Sequence, residues 1–149
     1  MLKRRKLREA IIKILYASKH NNRGFISNLE DLVEMSRDID ENVPLIDNDD
    51  EEYLKNVLLD IEKNKINIDS ILKKVALKWS LDRILDMDRS ILELAIYELL
   101  YREDIPVEVT INEAIEIAKK YSGEESYSFV NGILDTVAKK YVRINKRGR

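Results

Sequence analysis

Leu7, Ile11, Ile14 and Leu15 recur at the three- and four-residue spacing of one helix face, predicting a first helix from about Lys3 to His20. Asn21, Asn22 and Gly24 supply its stop. Leu29, Leu32 and Val33 give a second helix over Ser27 to Asp38, and the acidic, Pro44-containing stretch Asp40–Asp50 reads as a loop. From Asp50 a third helix carries Tyr53, Leu54, Val57, Leu58 and Ile61 on one face. Ile71, Leu72, Val75 and Ala76 stripe a fourth, Ile68 to Lys78. Trp79 to Arg83 then reads as a break in which Ser80 caps a short turn over Leu81–Leu85.

The next segment differs. With Asp88 as N-cap and an end near Tyr101, Ile91, Leu92, Leu94, Ala95, Ile96, Leu99 and Leu100 cover most of its circumference. A helix apolar nearly all round is buried, so this one is central. Glu98 falls inside its apolar arc and therefore needs a donor, an Arg or a helix N-terminus. Pro106 opens the following segment, and Thr110-Ile111-Asn112-Glu113 has the spacing of a capping box. Ile111, Ala114, Ile115 and Ala118 point inward from that helix, which ends near Tyr121 with Gly123 as stop. A last helix begins near Glu125 or Ser126 and is striped by Val130, Leu134, Val137 and Tyr141. The pattern describes an all-α chain of about seven helices around one core.

Composition agrees with that pattern and removes several functions. The 149 residues suit one domain, and 44% apolar residues with only four Gly and two Pro favour helices over a many-turned β fold. The chain has no Cys and one His, His20, so neither a disulfide framework nor a thiolate or His-rich metal site is expected. No apolar run approaches the roughly 20 residues that span a bilayer. Glu9, Lys13 and Lys19 interrupt the segment behind the basic N-terminus, so a secretory signal is not expected and the chain reads as cytoplasmic.

The net charge of −2 conceals a strong pattern. Residues 3–8 carry five positive charges, and Lys139 to Arg149 six with no acid. Between Glu30 and Lys63, thirteen acids stand against Arg37, Lys55 and Lys63. Basic ends around an acidic middle suit phosphate binding, or merely solubility.

Candidate chemistry follows the same division. The lone His has no partner pattern for nucleophilic catalysis, no glycine-rich phosphate loop is present, and Asp49-Asp50-Glu51-Glu52 sits where acids complement a helix dipole. Neither an enzyme nor a cofactor is expected. On the first helix, Arg5, Arg8 and Tyr16 lie on a stripe flanking the apolar one. Arginines there can neutralise phosphate and an exposed tyrosine can stack an unpaired base; equally, Tyr16 can pack inward and the arginines be solvated. Phe129 flanks the last helix's stripe by about 100°, and Gly132 shares its side, so close approach by another helix or a ligand would explain a glycine there.

Several blocks of the sequence are similar to one known family. Arg4-Arg5, Arg8-Glu9 and Leu15-Tyr16 resemble the N-terminal signature of the NusB family. Trp79-Ser80-Leu81-Asp82-Arg83-Ile84, Ile91-Leu92 and Tyr97-Glu98-Leu99 resemble its central stretch. Pro106, Val109, Ile111-Asn112-Glu113-Ala114 and Ala118-Lys119 resemble its strongest block, followed by Phe129-Val130-Asn131-Gly132-Ile133-Leu134-Asp135. The blocks occur in family order over nearly the whole chain; Arg23 to Ile68 carries no match that transfers.

The resemblance implies an all-α fold of two packed antiparallel-type bundles and a single NusB-like RNA-binding domain over 1–149; residues 142–149, outside its motifs, are expected to be a flexible basic tail. It implies a transcription antitermination factor that binds boxA-type single-stranded RNA together with NusE, a small-subunit ribosomal protein, in the RNA polymerase antitermination complex on rRNA operons. The RNA contacts it implies are Arg4, Arg5, Arg8, Tyr16, Lys119, Glu125, Ser126 and Phe129, joining the first helix to the start of the last. No membrane partner is implied, and the family includes both monomers and homodimers. Two other readings stay open. One is a helical protein–protein adaptor whose basic face serves an acidic partner. The other is the N-terminal part of an RNA methyltransferase, which is expected to continue into a methyl-donor-binding α/β domain, whereas this sequence stops at Arg149.

Overall fold

A computed structural model describes residues 1–38, 43–79, 84–142 and 146. Among them are seven α-helices: α1 (Arg4–Asn21), α2 (Phe25–Ser36), α3 (Asn48–Lys63), α4 (Lys65–Lys78), α5 (Asp86–Tyr101), α6 (Val107–Tyr121) and α7 (Glu124–Tyr141). The chain divides into two compact units, Met1–Lys63 and Asn64–Arg149, so the single core expected from periodicity becomes one core in each. No helix among the described residues is long and apolar enough to cross a membrane.

In the first unit α1, α2 and α3 pack on one another in all three pairings. Leu7, Ile11, Ile14 and Leu15 of α1 are buried, as are Leu29 and Val33 of α2 and Leu54, Leu58 and Ile61 of α3. Each such side chain contributes about 1.5–3 kcal/mol on leaving water. Asn22 ends α1 in the left-handed conformation at φ 57°. Buried Asn28 fastens the turn that follows: its amide donates to the Ser18 hydroxyl at 2.9 Å and the Gly24 carbonyl at 3.0 Å, and its oxygen accepts from Asn21 at 2.7 Å. The α3 start is a reciprocal cap. The Asp50 amide donates to Asp47 Oδ1 at 2.8 Å, and the Asp47 amide to Asp50 Oδ2 at 3.2 Å. That amide bond is the main reason the Asp47 carboxyl titrates below its ordinary value. Asp50, expected at the start of this helix, is buried there and accepts the Leu2 amide at 2.9 Å.

In the second unit α5 is the hub, touching α4, α6 and α7, and every residue from Ser90 to Leu99 is buried. Glu98 has its donor: the Thr110 hydroxyl at 2.8 Å, between two buried side chains. The expected capping box at Thr110 therefore does not form. The helix starts three residues earlier, behind extended Pro106 at φ −60°, and Thr110 lies inside its first turns facing α5. Asp88, expected to cap α5, likewise sits within that helix and is buried, because α5 begins at Asp86. Gly123, at φ 97°, makes the turn from α6 into α7 that a side chain would strain.

The C-terminus of α5 is closed from far along the chain. Lys146 is buried, and its Nζ donates to the carbonyls of Glu98, Leu99 and Arg102 at 2.7, 2.9 and 2.8 Å. The carbonyls of Glu98 and Arg102 also accept the amides of Arg102 and Ile105, so the ammonium is a second partner to them, and a cation there also faces the negative end of the helix dipole. Of the stretch 142–149 expected to be a flexible tail, 143–145 and 147–149 lie outside the described residues, while Val142 and Lys146 are buried. The turn expected over Ser80–Leu85 also lies mostly outside them.

Candidate nucleic-acid interface

On α1 the buried arc is wider than one apolar stripe. Arg8 stands about 100° from Leu7, between Leu15 and Ile12, and both of these are buried. Arg8 goes in with them and is 8% exposed, so it does not share the solvent-facing flank expected for it. Arg5 and Tyr16, about 160–180° from Leu7, are exposed in the first and later turns of α1, although Ile12 and Glu9, which flank that direction in between, are buried. Tyr16 keeps 37% of its surface open and lies against the His20 ring, with centroids 4.5 Å apart. Arg4 is exposed and oriented by α3: its Nη1 donates to the Tyr53 hydroxyl at 2.7 Å, and its guanidinium carbon lies 5.2 Å from that ring's centroid. The helix thus presents two cations and a tyrosine, with the tyrosine and Arg4 each steadied by an aromatic neighbour.

The second group collects where α6 turns into α7. Lys119 Nζ lies 3.7 Å from Glu116 and 4.9 Å from the centroid of the Tyr127 ring. Periodicity does not mark Tyr127 as a surface residue: by angle it lies beside Leu134 at the edge of the apolar stripe, and it is exposed because it stands in the first turn of the helix. Glu125 is exposed in the same turn. Ser126 is not: it is 7% exposed, and its hydroxyl donates to Asp88 Oδ2 at 3.2 Å. Phe129 is half-buried on the opposite flank of the α7 stripe from Tyr127.

Gly132 explains itself on that same flank. A Cβ placed there would collide with the six-membered ring of Trp79, the residue that caps α4. The close approach anticipated from the glycine is therefore an indole, and that indole keeps 46% of its surface exposed. Trp79 is the second surface aromatic that periodicity does not single out as a binding residue. Among the described residues no group of three or more His, Cys, Asp or Glu could hold a metal ion.

Residues 5–139 match the NusB family. The chain belongs to that family. It is 45% identical over 147 residues to the transcription antitermination protein NusB of Thermodesulfovibrio yellowstonii, covering 97% of each chain. Its structure superposes on T. maritima NusB with a TM-score of 0.82 at 38% identity, covering 99% of both chains. It also matches the crystal structure of the antitermination factors NusB and NusE in complex with dsRNA, with a TM-score of 0.77 at 25% identity over 93% of this chain and 97% of that one. The NusB match takes in α1 from Arg5 on, the α6–α7 turn and Gly132, but neither Arg4 nor the residues beyond 139.

Proposed function

We propose that this chain is a cytoplasmic, non-enzymatic transcription antitermination factor. It binds boxA-type single-stranded RNA together with NusE, within the RNA polymerase complex that keeps rRNA operons in processive transcription. The observation that carries this reading is the family match across residues 5–139. A structural neighbour that holds NusE and dsRNA supports the pairing of NusE with RNA, while the preference for single strands rests on the exposed ring faces. Arg4, Arg5 and Lys119 supply cations for backbone phosphates, while Tyr16 and Phe129 offer ring faces for unpaired bases. Glu125, exposed in the first turn of α7, accepts from a base amino group in this reading. Arg8 and Ser126 act from beneath, Arg8 within the buried arc of α1 and Ser126 through Asp88.

Binding through phosphates has to weaken steeply with salt. Fluorescence anisotropy with labelled boxA RNA, a scrambled strand and a duplex of the same sequence, each with and without NusE, tests the reading. Tighter binding of the boxA strand, increased further by NusE, is expected. Equal affinity for boxA and scrambled strands in the presence of NusE would overturn it and favour a helical adaptor.

A further inference from the structure

We propose that Trp79, Lys78 and Lys140 form an additional RNA-binding strip on the second unit, in which the indole stacks a base and the lysine pair holds backbone phosphate. The inference rests on the RNA-binding reading above and extends it to residues outside that set.

Three observations carry it. First, the Trp79 ring is seated on Gly132, where no side chain stands, yet 46% of the residue faces solvent. An indole needed only as a cover for α7 would be expected to lose more of its surface. Second, α4 packs against α7 with Lys78 and Lys140 in their last turns, and Lys140 lowers the Lys78 pKa, through a side-chain hydrogen bond first and like charge second. Both side chains are exposed, and among the described residues no carboxylate is paired with either. Two cations held together without an acid form a site that a phosphate oxygen relieves.

Third, these features lie in line. With Phe129 as origin, Glu125, Gly132, Thr136 and Lys140 all fall within about 60° of it on α7. The strip therefore leads from Phe129, past the indole over Gly132, to the lysine pair, about 12 Å further along the helix axis. Thr136 leaves it smooth by donating its hydroxyl back to the Gly132 carbonyl at 2.9 Å. One short oligonucleotide reaches an aromatic face, a second aromatic face and a cation pair in succession, the combination that binds single strands.

Trp79 is the chain's one tryptophan, so its emission reports on the strip directly. A short single-stranded boxA RNA is titrated into the full-length protein, reading tryptophan emission and the anisotropy of an end label in parallel. Saturable quenching at the anisotropy midpoint is expected. Lys78→Gln with Lys140→Gln should weaken binding roughly 3- to 10-fold and flatten the salt slope by about 0.7 for each phosphate no longer neutralised. A charge-matched control, Lys55→Gln with Lys73→Gln, should leave the slope unchanged. Trp79→Ala should weaken binding roughly 5- to 150-fold, the range of one base–aromatic stack, and Trp79→Phe should restore part of it.

If anisotropy shows salt-sensitive binding while emission stays unmoved and the lysine double variant behaves like its control, the strip is wrong and the RNA reading stands. If the unaltered protein binds no RNA with or without NusE, both fail. If NusE alone shifts the emission and RNA adds nothing, the surface docks protein, and the inference is overturned.

Discussion

A methyl group built on Gly132 would occupy the space of the Trp79 ring, so Gly132→Ala opposes two local terms. Alanine is favoured over glycine within a helix by up to about 1 kcal/mol, but the indole must leave its seat. Because that ring is at the solvent edge, it can swing outward. The expected outcome is a stability within about 1 kcal/mol of the parent and a red-shifted tryptophan emission, read by urea titration and fluorescence. Ser126 behaves differently, because it serves a buried acid. Its hydroxyl is the hydrogen-bond partner of Asp88 Oδ2, and Asp88 Oδ1 has none among the described residues. Ser126→Ala strands the carboxylate and should cost about 1–3 kcal/mol in a urea melt. RNA affinity under folding conditions should change little, which separates a supporting serine from a contacting one.

At the scale of elements, what the sequence made legible was whatever periodicity encodes. The stripes on α1, α3, α4 and α7 and the all-round apolar α5 all stand as helices near their expected bounds. What it left illegible was set by partners distant in the chain. Thr110 reads as a cap because Glu113 follows at the right spacing, but the hydroxyl finds Glu98 across to α5. Asp47 and Asp50 do form a reciprocal cap, where the sequence reads as acidic loop running into a helix start without showing the pairing. Arg8 lies on the flank of Leu7 by angle, and only the burial of Ile12 beside it shows that the flank is not exposed. Lys146 is the longest-range case: a residue of a basic tail, indistinguishable from its neighbours in sequence, closes a helix more than forty positions earlier. Lys146→Met leaves three carbonyls at the end of α5 without that ammonium. It should lower stability by about 1–3 kcal/mol, measured as a drop in the urea midpoint at unchanged m-value. A midpoint unmoved in Lys146→Met would show that water serves those carbonyls equally well.

For the whole molecule, the charges divide between structural and ligand-facing tasks. Lys146 is committed to backbone carbonyls, so a count of basic residues overstates the cations presented to phosphate, whereas Arg4 against Tyr53 and Lys119 against Tyr127 are steadied at the surface. Arg5 and Tyr16 are both exposed on α1 but act on RNA by different physics, and this makes them separable. Arg5→Gln removes one charge; it should reduce the salt slope of boxA binding by about 0.7 and weaken all strands alike, boxA or scrambled. Tyr16→Ala removes a stacking face; it should weaken binding by about 1–3 kcal/mol with the slope unchanged, because no counterion is released there. Anisotropy across a salt series reads both quantities in one experiment. A Tyr16→Ala slope that falls with its affinity would mean that the helix has shifted its cations. The tyrosine would then be positioning α1 rather than touching a base.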